Sequence, residues 1–157
     1  MLYSEDIMQE KKYPAVFLDR DGVINYDDDY VYKIDDYRFI PDVFAACQLF
    51  IKKGYKLIVI TNQAGIARGL YTEEDFNHLN QWFLKQFKKN NIKISGVYYC
   101  PHHPVYGIGK YRQSCHCRKP QPGMIQQAAL EHKLDLSRSI LIGDKISDIN
   151  AGKNAGI

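Results

Sequence analysis

The chain has 157 residues, 45% of them apolar and 25% charged, with 21 Lys and Arg against 18 Asp and Glu for a net charge of +3. That profile fits one folded domain with a sizeable core, and it excludes wholesale disorder and a strongly basic nucleic-acid binder. No apolar run reaches the length of a bilayer span, and the polar start, Met1 to Lys12, lacks a signal-peptide core, so a cytoplasmic protein with no membrane partner is expected.

The apolar pattern alternates between short β-branched runs and longer helical ones. Ala15-Val16-Phe17-Leu18 predicts a strand buried on both faces and ending at Asp19. After a Tyr/Asp-rich segment from Tyr26 to Tyr37, expected to wall the entrance to a site, Pro41 opens a helix. Its apolar face runs Val43, Phe44, Ala46, Cys47, Phe50 and Ile51, and Gly54 closes it. Leu57 to Ile60 predicts a second buried strand, ending at Thr61. Thr72 caps the next helix, with Glu73, Glu74 and Asp75 in its first turn and core aromatics recurring down to Lys88-Lys89. Gly96 to Tyr99 predicts a third strand, Pro122-Gly123 a further helix, and Ile140 to Ile142 a fourth strand. Ser147 is expected to cap a short last helix from Asp148 onward. Alternating strands and helices predict an α/β fold: a three-layer, Rossmann-like parallel sheet whose strand C-termini share one ligand-binding edge.

The residues that end the strands carry the chemistry. The first strand delivers Asp19-Arg20-Asp21-Gly22-Val23, the second Thr61-Asn62-Gln63, the fourth Gly143-Asp144-Lys145, and Lys119 precedes the third helix. Three carboxylates at one edge repel one another unless a cation neutralises them, and oxygen ligands suit Mg²⁺. Lys119, Thr61 and the Asn62 amide are then placed to hold an anion beside the metal, which points to phosphoryl chemistry. Asp19 is the candidate nucleophile and Asp21 the candidate general acid and base. Arg20, alternating with its Asp neighbours, is expected to point away from them in a structural role.

Asp19-Arg20-Asp21-Gly22-Val23, Thr61-Asn62, Lys119-Pro120 and Gly143-Asp144-Lys145 with Asp148 resemble the four motifs of the haloacid dehalogenase (HAD) superfamily of phosphatases, over nearly the whole chain. The resemblance implies a HAD-like fold, Asp19 as nucleophile, Asp21 as general acid/base, and Thr61 and Lys119 as phosphate ligands. It implies Mg²⁺ held by Asp19, the Asp21 carbonyl and Asp144. For Asp148 two roles stay open, support of the metal site or a cap on the last helix. The stretches Asp21 to Pro41 and Cys100 to Lys119 are too short for a separate lid domain.

Cys100, His102, Cys115 and Cys117 form a plausible tetrahedral Zn²⁺ set, with His103 and His116 as competing ligands expected to face away; free thiols in an irregular loop are the alternative. A structural zinc would order the loop and aim Arg118 and Lys119 at the crevice. Cys100-Pro101-His102-His103-Pro104, Cys117 to Met124 and Thr61 to Gly69 resemble the D-glycero-D-manno-heptose 1,7-bisphosphate 7-phosphatases. That resemblance implies removal of the C7 phosphate from a sugar bisphosphate in heptose-precursor biosynthesis, with catalytic Mg²⁺, structural Zn²⁺ and Arg118 on the substrate. A bisphosphate needs further cations, for which Arg68 and Lys145 are candidates, Arg68 being equally readable as a surface charge. Two rivals remain, a histidinol-phosphate phosphatase and a zinc-stabilised binding module. A monomer comprising one domain over 1–157 is expected, with a further strand beginning where the sequence stops at Gly156-Ile157.

Overall fold

The computed structural model describes residues 11–157. Four parallel strands, β1 (Ala15–Leu18), β2 (Lys56–Asn62), β3 (Ile94–Cys100) and β4 (Ile140–Ile142), form one sheet in the order β3-β2-β1-β4. Five helices accompany them: α1 (Val43–Lys52), α2 (Ala64–Ala67), α3 (Glu73–Lys89), α4 (Gly123–His132) and α5 (Ile146–Ala155). The three-layer α/β fold is as expected, with connectors in place of a lid domain. Among the described residues no helix is long and apolar enough to cross a membrane.

Strand alternation divides the core. Val16 and Leu18 of β1, with Leu57 and Val59 of β2, pack under Val43 and Cys47 of α1 and Leu79, Phe83 and Phe87 of α3. Ala15, Phe17, Ile58 and Ile60 face the other way, onto Met124, Ile125 and Ala128 of α4 and Ala151 of α5. Both central strands are buried on both faces, which is why their sequences read as unbroken apolar runs. The strand order switches direction between β1 and β4, so the C-terminal end of β1 opens at the crevice between them, with that of β2 beside it.

Local signals account for most boundaries. Thr72 and Asp75 form a reciprocal capping box at the start of α3: Asp75 N donates to Thr72 Oγ1 (3.1 Å) and Thr72 N to Asp75 Oδ2 (2.8 Å). Helix α1 starts at Val43, after Asp42 adopts a left-handed φ of 63°, two residues later than Pro41 suggested. The last helix departs further from expectation. Lys145, rather than Ser147, is the N-cap of α5, and the Asp148 carboxylate accepts the Lys145 N–H (3.0 Å). The carboxylate at the third helical position reaches back to the N–H of the capping residue, as the N3 side chain of a capping box does.

Candidate active site

Every strand end but that of β3 delivers a side chain to one cavity of about 320 Å³, whose lining includes Asp19, Asp21, Asn62, Gln63, Lys119 and Asp148. Asp19 stands at the tip of β1, 5% exposed, its N–H still bonded to Ile142 O of β4 (3.0 Å). The backbone then turns through Gly22, whose φ is +90°; a Cβ there would lie 2.2 Å from Asp144 Oδ2. Glycine is thus what lets the Asp144 carboxylate close over the turn.

Lys119 is the buried cation of this cluster. Its Nζ lies 2.9 Å from Asp19 Oδ1 and 2.6 Å from Asp148 Oδ1, and donates to Ile60 O (3.0 Å). Asn62 sets its position: Asn62 Nδ2 donates to Lys119 O (3.1 Å) while Lys119 N donates to Asn62 Oδ1 (3.0 Å). The Asn62 carboxamide is therefore taken up by the Lys119 backbone, leaving only its own backbone for an anion.

Oxygens of Asp19, Asp144 and Asp148 lie within 4.8 Å of one another. Burial pushes the Asp19 carboxyl up to about 6, against the opposing pull of Lys119. Three carboxylates beside one ammonium leave the cluster negative, and the all-oxygen donor set suits a hard divalent cation such as Mg²⁺. Of the two roles open for Asp148, the cap on α5 is present through Oδ2, while Oδ1 pairs with Lys119.

Asp21 is held from three sides. Arg20 Nη2 reaches both carboxylate oxygens (2.9 and 3.0 Å), Asn25 Nδ2 donates to Oδ1 (2.9 Å), and Gln63 Nε2 donates to Oδ2 (3.0 Å). Arg20, 3% exposed, thus turns toward Asp21, contrary to the alternation expected of a continuing strand. The reason is that β1 ends at Leu18 and the following residues form a turn, where two-residue periodicity no longer applies. Gln63 also donates to Thr61 Oγ1 (2.7 Å) and accepts from Tyr71 OH (2.5 Å).

The loop after β3 gathers Cys100, His102, Cys115 and Cys117, whose ligand atoms also lie within 4.8 Å of one another. The sulfur of Cys115 stands 3.4 Å from those of Cys100 and Cys117, and His102 Nδ1 lies 3.8 and 3.5 Å from Cys100 and Cys117. Metal–ligand bonds of about 2.0–2.3 Å give tetrahedron edges of roughly 3.5–3.8 Å, so this donor set fits Zn²⁺. A fifth edge, Cys100 to Cys117 at 2.7 Å, is tighter, and this contact pulls the Cys117 thiol down to about 5. His103 and His116 are engaged elsewhere: His103 Nδ1 accepts from the Val105 and Tyr106 amides, and His116 Nε2 meets Gln126 Oε1.

The remaining charged candidates lie at the rim. Arg118 lines the cavity and donates from Nη1 to His102 O (3.2 Å), tying it to the cysteine loop. Lys145 lines it too, but its Nζ pairs with Asp27 at 2.9 Å. Arg68 lies over the Tyr106 ring (4.3 Å to the centroid) and near that of Tyr30 (5.8 Å), outside the cavity lining. Asp27, Asp29 and Tyr30 form one wall, as expected for the Tyr/Asp-rich segment. Sequence reasoning missed Gln63, Asn25 and Tyr71 as parts of the site. The turn signal around Asp21-Gly22 and the polar residues flanking Thr61 were the available clues, but their partners are set by tertiary packing.

A family model described as HAD-hydrolase-like matches residues 116–157. The protein is 48% identical over 144 residues to a D-glycero-beta-D-manno-heptose-1,7-bisphosphate 7-phosphatase of Vibrio cholerae, covering 92% of its own length and 77% of the relative. It is 50% identical over 143 residues to a D-glycero-alpha-D-manno-heptose-1,7-bisphosphate 7-phosphatase of Burkholderia mallei, covering 91% and 76%. Among solved structures, the D,D-heptose 1,7-bisphosphate phosphatase of B. bronchiseptica in complex with magnesium and phosphate superposes with a TM-score of 0.81. That alignment is 30% identical and covers 91% of the present protein and 76% of the solved one.

Proposed function

Because the chain belongs to the HAD-like family of D-glycero-D-manno-heptose-1,7-bisphosphate 7-phosphatases, we propose that it is a Mg²⁺-dependent phosphatase that removes the C7 phosphate of a heptose 1,7-bisphosphate on the route to heptose precursors. The observation that carries this reading is Asp19 at the tip of β1, 2.9 Å from the buried Lys119 ammonium and beside the Asp144 and Asp148 carboxylates.

The geometry supports a division of roles among these residues. Asp19 Oδ attacks phosphorus, forming an aspartyl-phosphate as the P–O bond to the C7 oxygen breaks. Asp21, held in place by Arg20, Asn25 and Gln63, protonates the departing C7 oxygen and then takes a proton from the water that hydrolyses the phosphoenzyme. The Lys119 ammonium and the Thr61 hydroxyl steady the phosphoryl oxygens. Asp19, the Asp21 carbonyl and Asp144 would hold Mg²⁺, which supplies charge neutralisation at the phosphoryl group. Cys100, His102, Cys115 and Cys117 would hold Zn²⁺ in a structural role, and it would fix the loop that carries Arg118 and Lys119.

Arg118 serves the substrate from the cavity wall. Lys145 reaches it on exchanging Asp27 for a phosphate, and Arg68 contributes from the rim, across Tyr30 and Tyr106. The setting is a monomeric cytoplasmic enzyme, tested by light scattering and cell fractionation. The function is tested by Mg²⁺-dependent phosphate release from both anomers of heptose 1,7-bisphosphate, from histidinol phosphate and from a panel of sugar monophosphates. A heptose bisphosphate is expected to exceed the others in kcat/KM by at least tenfold. Comparable rates across the panel would overturn the substrate assignment.

A further inference from the structure

Gln63 is 2% exposed, an unusual place for a carboxamide, and all of its hydrogen-bonding groups meet the site. Nε2 bridges Asp21 Oδ2 (3.0 Å) and Thr61 Oγ1 (2.7 Å). Oε1 accepts from Tyr71 OH (2.5 Å), with Arg20 Nη2 at 3.4 Å. The orientation of the amide is dictated by its neighbours. A guanidinium only donates, so the oxygen must face Arg20, and the NH₂ is left to face Asp21 and Thr61. Burial pushes the Tyr71 phenol up, which keeps that hydroxyl a donor as well.

One consequence falls on Thr61. Its Oγ1 receives a hydrogen bond from Gln63, and among the described residues its own proton goes to no protein group. Accepting one hydrogen bond also polarises the hydroxyl as a donor. We propose that Gln63 is a positioning residue: its carboxamide locks the Asp21 carboxylate and, in the same stroke, reserves the Thr61 proton for a phosphoryl oxygen. Tyr71 is the outer support of this arrangement. It stacks on Tyr32 (5.0 Å between centroids), and its ring lies so close to Gly65 that a Cβ there would be 2.0 Å from Tyr71 Cε1. Gly65 thereby lets Tyr71 approach Gln63.

This inference rests on the phosphatase reading, and the test separates the two. Gln63→Met keeps the volume and removes both donors; it is expected to lower kcat roughly 10- to 100-fold while KM moves less than about threefold. Gln63→Glu places a carboxylate against Asp21 and accepts the Thr61 proton, so its kcat should fall below that of Gln63→Met. Because Gln63 acts through Thr61 as well as through Asp21, adding Gln63→Met to Thr61→Val should slow the enzyme by clearly less than Gln63→Met slows the parent. A kcat for Gln63→Met within twofold of the parent, or losses that multiply in the double variant, overturns the proposal. Should Gln63→Met fail to fold, Tyr71→Phe carries the same test, with kcat expected to drop at least threefold at unchanged KM; an unchanged kcat overturns it. A parent enzyme that releases no phosphate with Mg²⁺ overturns the phosphatase reading and this inference with it. An active parent matched by its Gln63 variant overturns this inference alone.

Discussion

Asp19, the proposed nucleophile, sits where burial works against its charge. Its burial raises the carboxyl from 3.8 to about 6, so the folded state holds the proton more tightly than the unfolded state does. Well below pH 3.8 both states carry it and the group is neutral to stability. As pH climbs from 3.8 toward 6 the unfolded state releases the proton first, and above that window folding is penalised by about 3 kcal/mol at ~1.4 kcal/mol per unit. Asp19→Asn is therefore expected to raise the melting temperature by several degrees at pH 7.5 in Mg²⁺-free buffer, to leave it nearly unchanged at pH ~3, and to abolish phosphate release. Thermal melts at the two pH values check the sign. A loss of stability at pH 7.5 would mean that the Lys119 ion pair outweighs desolvation.

At the level of elements, helix ends and strand ends divide the labour. The capping box at Thr72 and Asp75 belongs to α3, whose Leu79, Phe83 and Phe87 form the core face, and none of these residues lines the catalytic cavity. Thr72→Ala should cost about 1 kcal/mol in urea titrations and leave kcat/KM unchanged. Strand ends behave differently, because each carries reactive groups just past its last residue. This is where the sequence was most and least legible. The four strands, with Asp19 and Asp144 at their ends, follow from apolar runs that stop at polar residues; the α3 cap follows from Thr72 ahead of three acids, and Lys119 from its place before a helix. The inward turn of Arg20, the grip of Asn62 on Lys119 and the pairing of Lys145 with Asp27 do not. Each of those depends on a partner in a different loop or strand end, or on a turn whose direction no periodicity encodes. Helix α2 escaped notice for a related reason: at four residues it is shorter than one clear amphipathic repeat.

For the molecule as a whole, two proposed metal sites serve different ends and should be separable. Mg²⁺ belongs to the cavity, whereas Zn²⁺ belongs to a loop with few buried apolar groups of its own, lying between β3 and α4. Stripping zinc with a thiol-directed chelator is expected to lower both the melting temperature and activity, and added Mg²⁺ should restore neither. Re-adding Zn²⁺ should restore both, and elemental analysis should return about one zinc per molecule. Full activity in a zinc-free preparation would assign the four side chains another purpose.

The two-bond grip of the Asn62 side chain on the Lys119 backbone has a consequence for how this scaffold changes over time. A carboxamide that reads both a backbone amide and a backbone carbonyl imitates a neighbouring strand, adding a rung to the sheet where the ladder has already ended. The ammonium is thereby indexed to β2 and not to the path of the intervening loop. Residues 103–114, between the ligand groups, are free to lengthen, shorten or change character while the charge at the reacting centre keeps its place. The molecule can vary what it admits without resetting what it does.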